Sequence, residues 1–178
     1  MSKIKSISMK FRILFKLAFI LVPILNLSIW IFYNQLPAEI TVTLLPHALN
    51  LTHININSTT ILLACLASML QVSVIFYALN QLLKLFKNYE QGEIFSLANV
   101  SYYRKLGYSF FAWVVCSKIV DALISIILTF QNQVGHRQIV IRFGAADLLA
   151  LAIGGLVILI AWIMNEGHKL NEEQALTI

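Results

Sequence analysis

Residues Leu82–Gly107 read LLKLFKNYEQGEIFSLANVSYYRKLG. They carry four of the chain's 13 Lys and Arg residues: Lys84, Lys87, Arg104 and Lys105. A long apolar run flanks each side, Thr59–Leu83 and Leu106–Phe130. A basic segment between two runs of membrane-spanning length marks the inner loop of a transmembrane hairpin.

The composition agrees. The chain has 178 residues, of which 59% are hydrophobic and only 12% charged. Soluble domains carry roughly twice that charge. The mean hydropathy of +0.80 excludes a water-soluble domain. A single integral membrane domain over residues 1–178 is expected, since the spans leave no room for a second one. The net charge of +5 does not point to nucleic acid. The basic residues flank apolar runs, where they set orientation.

Four spans are expected, at about 13–33, 59–83, 106–130 and 143–164. Met1–Lys16 holds Lys3, Lys5, Lys10, Arg12 and Lys16 and no acid. The run behind it is long and lacks an A-x-A site, so an uncleaved span is expected rather than a signal peptide. Pro23 inside it should kink the helix. Gly92 permits a tight turn in the inner loop, and Ser96 can cap a helix starting at Leu97. Ala146, Ala150 and Gly154 repeat at four-residue spacing in the fourth span and allow close helix approach.

The outer loops read differently. Ile40–Leu44 and Leu51–Ile56 alternate and are rich in β-branched residues, with Pro46–Asn50 as a turn between them. Gln138–Arg142 is a third strand-like piece. A small extracytoplasmic β element is therefore expected on an all-α four-helix bundle. Asn50-Leu51-Thr52 matches a glycosylation sequon, a motif common by chance.

Orientation follows from counting Lys and Arg. The N-terminal tail has five, the first outer loop none, the inner loop four, the second outer loop two and the C-terminal tail one. Ten against two places both termini in the cytoplasm.

Lys118, Asp121 and Asp147 are the charges well inside the spans. Charge there is costly and faces other helices or water. Lys118 and Asp121 are neighbours at i,i+3, with Ser117 and Ser125 near the same face. Two uses fit: an ion or proton pathway, or a charge pair that, helped by Asn26 and Gln71, holds the helices together. Inverted repeats, which would favour transport, are not evident. Cys65 and Cys116 lie in apolar runs as packing residues. His47, His53, His136 and His168 lie on loops and tail. Glu39 is the one acid in the outer loops, so no metal site is expected. No H-E-x-x-H, G-x-S-x-G or phosphate-binding loop occurs, so neither enzyme activity nor a cofactor is expected. The inner-loop cations Lys84, Lys87, Arg104 and Lys105 either fix topology against anionic lipid or form a docking face for a cytoplasmic partner.

Two stretches carry a resemblance. Gly92-Glu-Ile-Phe-Ser-Leu-Ala-Asn99, followed by Arg104-Lys-Leu-Gly107, is similar to a G-x-P-F-[ST]-x-x-N…R-x-[LI]-G pattern. Gly167-His-Lys-Leu-Asn-Glu-Glu-Gln-Ala-Leu-Thr-Ile178 is similar to a G-x-x-L-x-E-E-x-x-L-T-[IV] tail. Both patterns belong to the YoaS-like bacterial four-span membrane proteins, domain of unknown function 2975. Ile94 stands in place of the Pro, and Tyr103 in place of the aliphatic residue before the Arg. The resemblance implies an inner-membrane protein without known activity. Members are often encoded beside a Cro-type helix-turn-helix regulator. The leading expectation is thus a non-enzymatic protein that sequesters or signals to such a regulator. The alternative is a small transporter or channel component using Lys118, Asp121 and Asp147. A subunit of a larger membrane complex is the third. The partners expected are the lipid bilayer, that regulator and a second copy of the chain, with no direct nucleic-acid contact.

Overall fold

The computed structural model describes residues 2–37, 56–130 and 137–176. It contains four long helices: α1 Ser2–Ile31, α2 Ser58–Gln91, α3 Leu97–Thr129 and α4 Ala145–Leu176. A one-turn helix at Tyr33–Gln35 follows α1. All four long helices are long and apolar enough to cross a membrane. α1 continues through Pro23.

The helices reach well past the apolar runs. They have 30, 34, 33 and 32 residues. At about 1.5 Å per residue each is about 45–51 Å long, against about 30 Å of hydrocarbon. The excess collects at one end. Residues 2–12 of α1, 84–91 of α2, 97–105 of α3 and 165–176 of α4 all lie beyond the expected spans, on the side of the α2–α3 loop. This loop end is a helical stump rather than a set of free tails.

Packing follows the chain. Substantial contact runs α1–α2, α2–α3 and α3–α4. Among the described residues α4 makes no substantial contact with α1, so the helices pack as a row rather than the closed bundle expected. A groove lined by Ala78 of α2, Phe110 and Trp113 of α3 and Ala150 of α4 shows that the row curves. The physical reason is the solvent. Lipid tails are as apolar as leucine, so nothing forces apolar faces to pair. Ile20, Leu21, Ile24 and Ile31 of α1 and Leu149, Leu156, Trp162 and Ile163 of α4 remain exposed.

Each seam has its own chemistry. Along α1–α2, Phe11 stacks on Phe86 at 5.3 Å and Phe19 on Phe76 at 4.3 Å. Further along, Trp30 Nε1 donates to Ser68 Oγ at 3.0 Å, and Ser68 Oγ donates to Asn26 Oδ1 at 3.0 Å. There Trp30, Ala64, Val120, Ile124 and Leu128 form the core that joins α1, α2 and α3. The α3–α4 seam depends on glycine. A Cβ on Gly107 would lie 2.5 Å from Ile158 Cγ1 and 3.0 Å from the Gly154 carbonyl oxygen. A Cβ on Gly154 would lie 3.1 Å from the Gly107 carbonyl oxygen. Such close backbone approach is how small residues join helices in lipid.

The expected β element requires correction. Residues 138–142 form no strand. Residues 40–44 and 51–55 lie outside the described residues. At the edge of that gap, Ile56 has a side-chain partner. Its amide donates to Asn34 Oδ1, and its carbonyl accepts from Asn34 Nδ2, each at 3.3 Å. One Asn amide thus serves both backbone groups, as a neighbouring strand would.

Candidate functional site

Two polar sites stand out, one inside the expected spans and one at the loop end.

The first explains the missing strand. Residues 137–143 have no regular secondary structure and lie along α3, whose side chains take hydrogen bonds a strand would have taken. Thr129 Oγ1 accepts from the Gln138 amide at 3.2 Å and donates to the Gln138 carbonyl at 3.3 Å. Ser125 Oγ accepts from the Val140 amide at 3.0 Å. The Arg142 amide donates to the Asp121 carboxylate. Lys118 Nζ donates to the Arg142 carbonyl. The periods match. Two extended residues advance about 6.6 Å and four helical residues about 6 Å. Every second amide therefore meets a polar side chain one turn further along α3. Non-helical backbone at membrane depth is tolerated only when so satisfied.

At the deep end of this ladder lies the charge cluster. Lys118 Nζ sits 2.8 Å from Asp147 Oδ2 and 3.9 Å from Asp121 Oδ2. Asp147 Oδ2 also accepts from the Gly144 amide at 2.7 Å, at the first turn of α4. An anion belongs at a helix N-terminus. Lys118 further lies 5.7 Å from the centre of the Phe143 ring. The Arg142 guanidinium interacts with both carboxylates, and its buried Nε has no hydrogen-bond partner among the described residues. Two cations and two anions thus meet where α3, α4 and their connection converge. The structure brings Lys118, Asp121 and Asp147 together. Asn26 is instead bonded to Ser68 on the α1–α2 seam. Gln71 is half-buried on α2, away from the bonds just described. Arg142 and Thr129 are the members that sequence reasoning passed over. The available signal was polar residues at 121, 125 and 129, one turn apart, facing an alternating 138–142.

The second site is the α2–α3 loop. Gly92 ends α2 in the left-handed conformation, φ 88°. Its amide and that of Glu93 return to the carbonyls of Tyr89 and Asn88. Glycine adopts this conformation without steric cost. Ser96 caps α3, its side chain accepting from the Asn99 amide at 3.3 Å. Asn99 has no exposed surface. Its Nδ2 donates to the carbonyls of Glu93 at 2.6 Å and Ile94 at 2.9 Å, and its Oδ1 accepts from Asn88 at 2.8 Å. One buried amide thereby fixes the whole turn. Phe95 stays exposed at the tip.

α4 meets the same turn. His168 Nδ1 lies 3.1 Å from the Phe95 carbonyl. A carbonyl can only accept, so Nδ1 carries the proton. The Phe95 ring packs over Gly167 at 3.9 Å from where a Cβ would be. The loop pattern, 92–99, and the tail pattern, beginning at 167, are neighbours in space. On the other flank α1 is tied to α2 by Arg12 Nε and Glu90 Oε1 at 3.1 Å. Lys84, Lys87, Arg104 and Lys105 are all exposed around this end.

Cys65 and Cys116 are free thiols, each half-buried. His47, His53 and His136 lie outside the described residues. Among those described, no His, Cys, Asp or Glu group is arranged to hold a metal ion.

Comparison with known families identifies the chain. The family described as protein of unknown function (DUF2975) matches residues 14–178, and the chain belongs to it. Neither the curated proteins nor the solved structures gave a match.

Proposed function

With that family as the premise, we propose that this is a non-enzymatic protein of the bacterial inner membrane, with both termini and the α2–α3 loop in the cytoplasm. Its role is to hold or signal to a soluble helix-turn-helix regulator. The carrying observation is the junction of Phe95 with Gly167 and His168, at a turn that Asn99 holds. Phe95 of one family-like stretch meets Gly167 and His168 of the other, over seventy residues on in sequence. A buried amide and two helix caps hold that turn in a single shape. Rigid presentation of an exposed aromatic residue amid cations is what a docking face requires. Topology alone would need only the cations. The ten-to-two excess of Lys and Arg supports the orientation. The Lys118 cluster, in this reading, clamps α4 to α3 and moves no ion. Its ammonium is engaged by Asp147, Asp121 and a carbonyl at once.

Purification of the intact protein from its native membrane tests the proposal. A DNA-binding helix-turn-helix protein should co-purify with the wild type. It should be depleted at least fivefold with Asn99→Ala, which unties the turn. Absence of such a protein from the wild-type sample overturns the proposal, as does equal recovery with Asn99→Ala.

A further inference from the structure

A second feature of the loop end bears on what the partner must look like. A pocket of about 240 Å³ lies between the start of α1 and the α2–α3 loop, lined by Ile4, Lys5, Tyr89, Glu90, Gly92 and Ile94. Three observations narrow its occupant.

Size is the first. Sites for small molecules and cofactors run about 300–1,000 Å³. This pocket falls short of that range and matches one large side chain.

Depth is the second. Lys5 lies eight residues before the expected start of the first span, and Tyr89–Gly92 lie six to nine beyond the expected end of the second. At about 1.5 Å per residue, that is about 9–13 Å above the hydrocarbon. The headgroup layer is only about 5–7 Å thick on each side. A lipid headgroup therefore sits below the pocket, and a water-borne ligand reaches it.

Chemistry is the third. Ile4, Ile94 and the Tyr89 ring form an apolar wall. Glu90 closes one side, with its side chain only 12% exposed. Its Oε1 is buried and forms no hydrogen bond of good geometry, although Arg12 lies at ion-pair distance. A carboxylate edge beside an apolar wall suits a donor on an otherwise apolar group, such as an indole N–H or a phenol O–H. Lys5 lies at the pocket, and Lys3, Lys10, Lys84 and Lys87 are exposed on the same helix ends. The surroundings are cationic.

We infer that this pocket anchors an acidic segment of a cytoplasmic protein through one tryptophan or tyrosine side chain. The inference rests on the docking role proposed above and specifies the partner's chemistry. Aromatic anchors in small pockets, ringed by complementary charge, are the usual centre of such an interface.

The test uses the full chain in lipid nanodiscs. The probes are fluorescent nine-residue peptides of glutamate and serine with a central tryptophan, tyrosine or alanine. The tryptophan peptide should bind at least tenfold more tightly than the alanine peptide. Ile94→Trp, which fills the pocket, should erase that ratio. Lys5→Glu should weaken all three peptides. Equal affinities of the tryptophan and alanine peptides for the wild type overturn the inference without reference to any variant. So does a ratio present in neutral-lipid discs that disappears in anionic-lipid discs, since that assigns the site to lipid. The two proposals fail separately. Aromatic-dependent peptide binding with no regulator in the native purification leaves the pocket and removes the regulator. Regulator capture unchanged by Ile94→Trp does the reverse.

Discussion

The ammonium of Lys118 on α3 and the carboxylate of Asp147 on α4 lie 2.8 Å apart across the helix seam. The same carboxylate accepts the Gly144 amide, so it also starts α4. Lys118→Met leaves Asp147 and Asp121 to share Arg142, with one negative charge in excess. Removing one partner of a largely buried pair costs about 3 kcal/mol. The expected drop in Tm in detergent is roughly 6–10 °C. Lys118→Met combined with Asp147→Asn should recover more than half of it, because the asparagine keeps the Gly144 bond and no net charge is stranded. Asp121→Asn should recover less, since Asp121 is the longer contact at 3.9 Å. A Lys118→Met protein as stable as wild type contradicts the clamp.

The turn at 91–96 rests on Asn99. Truncation in Asn99→Ala removes three hydrogen bonds and leaves the carbonyls of Glu93 and Ile94 without their donor. Each buried group left unpaired costs about 1–3 kcal/mol, less where water can enter. Amide hydrogen exchange at 92–96 should quicken by at least tenfold, with exchange at 110–125 unchanged. Uniform acceleration along α3 would show that Asn99 supports the whole helix rather than the turn.

Much of this was legible in the sequence, but by different routes. The four helices follow from apolar runs, and the capping Ser96 and the left-handed Gly92 follow from local chemistry. Helix lengths were underread. Lys84–Gln91 and the first turns of α3 are polar, yet helical hydrogen bonds continue through water as readily as through lipid. The alternating pattern at 138–142 suggests a strand, but the segment is no strand and bonds instead to side chains of α3. Alternation reports which residues face a neighbour, not whether that neighbour is a strand or a polar helix face. The Arg12–Glu90 pair and the meeting of Phe95 with Gly167 could not be read. They depend on the relative heights of helices, which no single segment encodes.

Glycines of α3 and α4 offer a test with an internal control. Gly107→Ala places a methyl 2.5 Å from Ile158 Cγ1 and 3.0 Å from backbone, so α3 and α4 must separate. A Cβ on Gly155, one residue from the seam glycine Gly154, meets nothing within 4 Å. Gly107→Ala should lower stability by about 1–3 kcal/mol, as overpacking does. Gly155→Ala should be neutral or raise it by up to about 1 kcal/mol through helix propensity. Equal effects of the two would mean that the seam does not depend on close approach.

Single cysteines measure the orientation. Asn50→Cys and Gln133→Cys, in a chain lacking Cys65 and Cys116, should react with an impermeant maleimide added to intact cells. Gln91→Cys should react only after the membrane is opened. Labelling of Gln91→Cys in intact cells would turn the docking face outward and remove the proposed role.

The last prediction concerns the ladder on α3. Ser125→Ala leaves the Val140 amide without an acceptor, and Thr129→Val does the same for Gln138. In water such losses are mild, because solvent replaces the bond. Beside α3 within the span, it cannot. Each loss should cost about 1–3 kcal/mol, and the segment should lift away from α3 rather than stay unpaired. Ile141→Cys reports this lifting: its reaction with a charged maleimide should quicken several-fold in Ser125→Ala and more in the double variant. Ser117→Ala is the control. Among the described residues its hydroxyl bonds only to the Val114 carbonyl, one turn back on the same helix. It should leave the rate unchanged. If Ser117→Ala and Ser125→Ala quicken labelling alike, general loosening of α3 explains the result and the ladder does not hold the segment. If neither does, residues 137–143 owe their position to the Lys118 contact alone, and Lys118→Met should then release them in full.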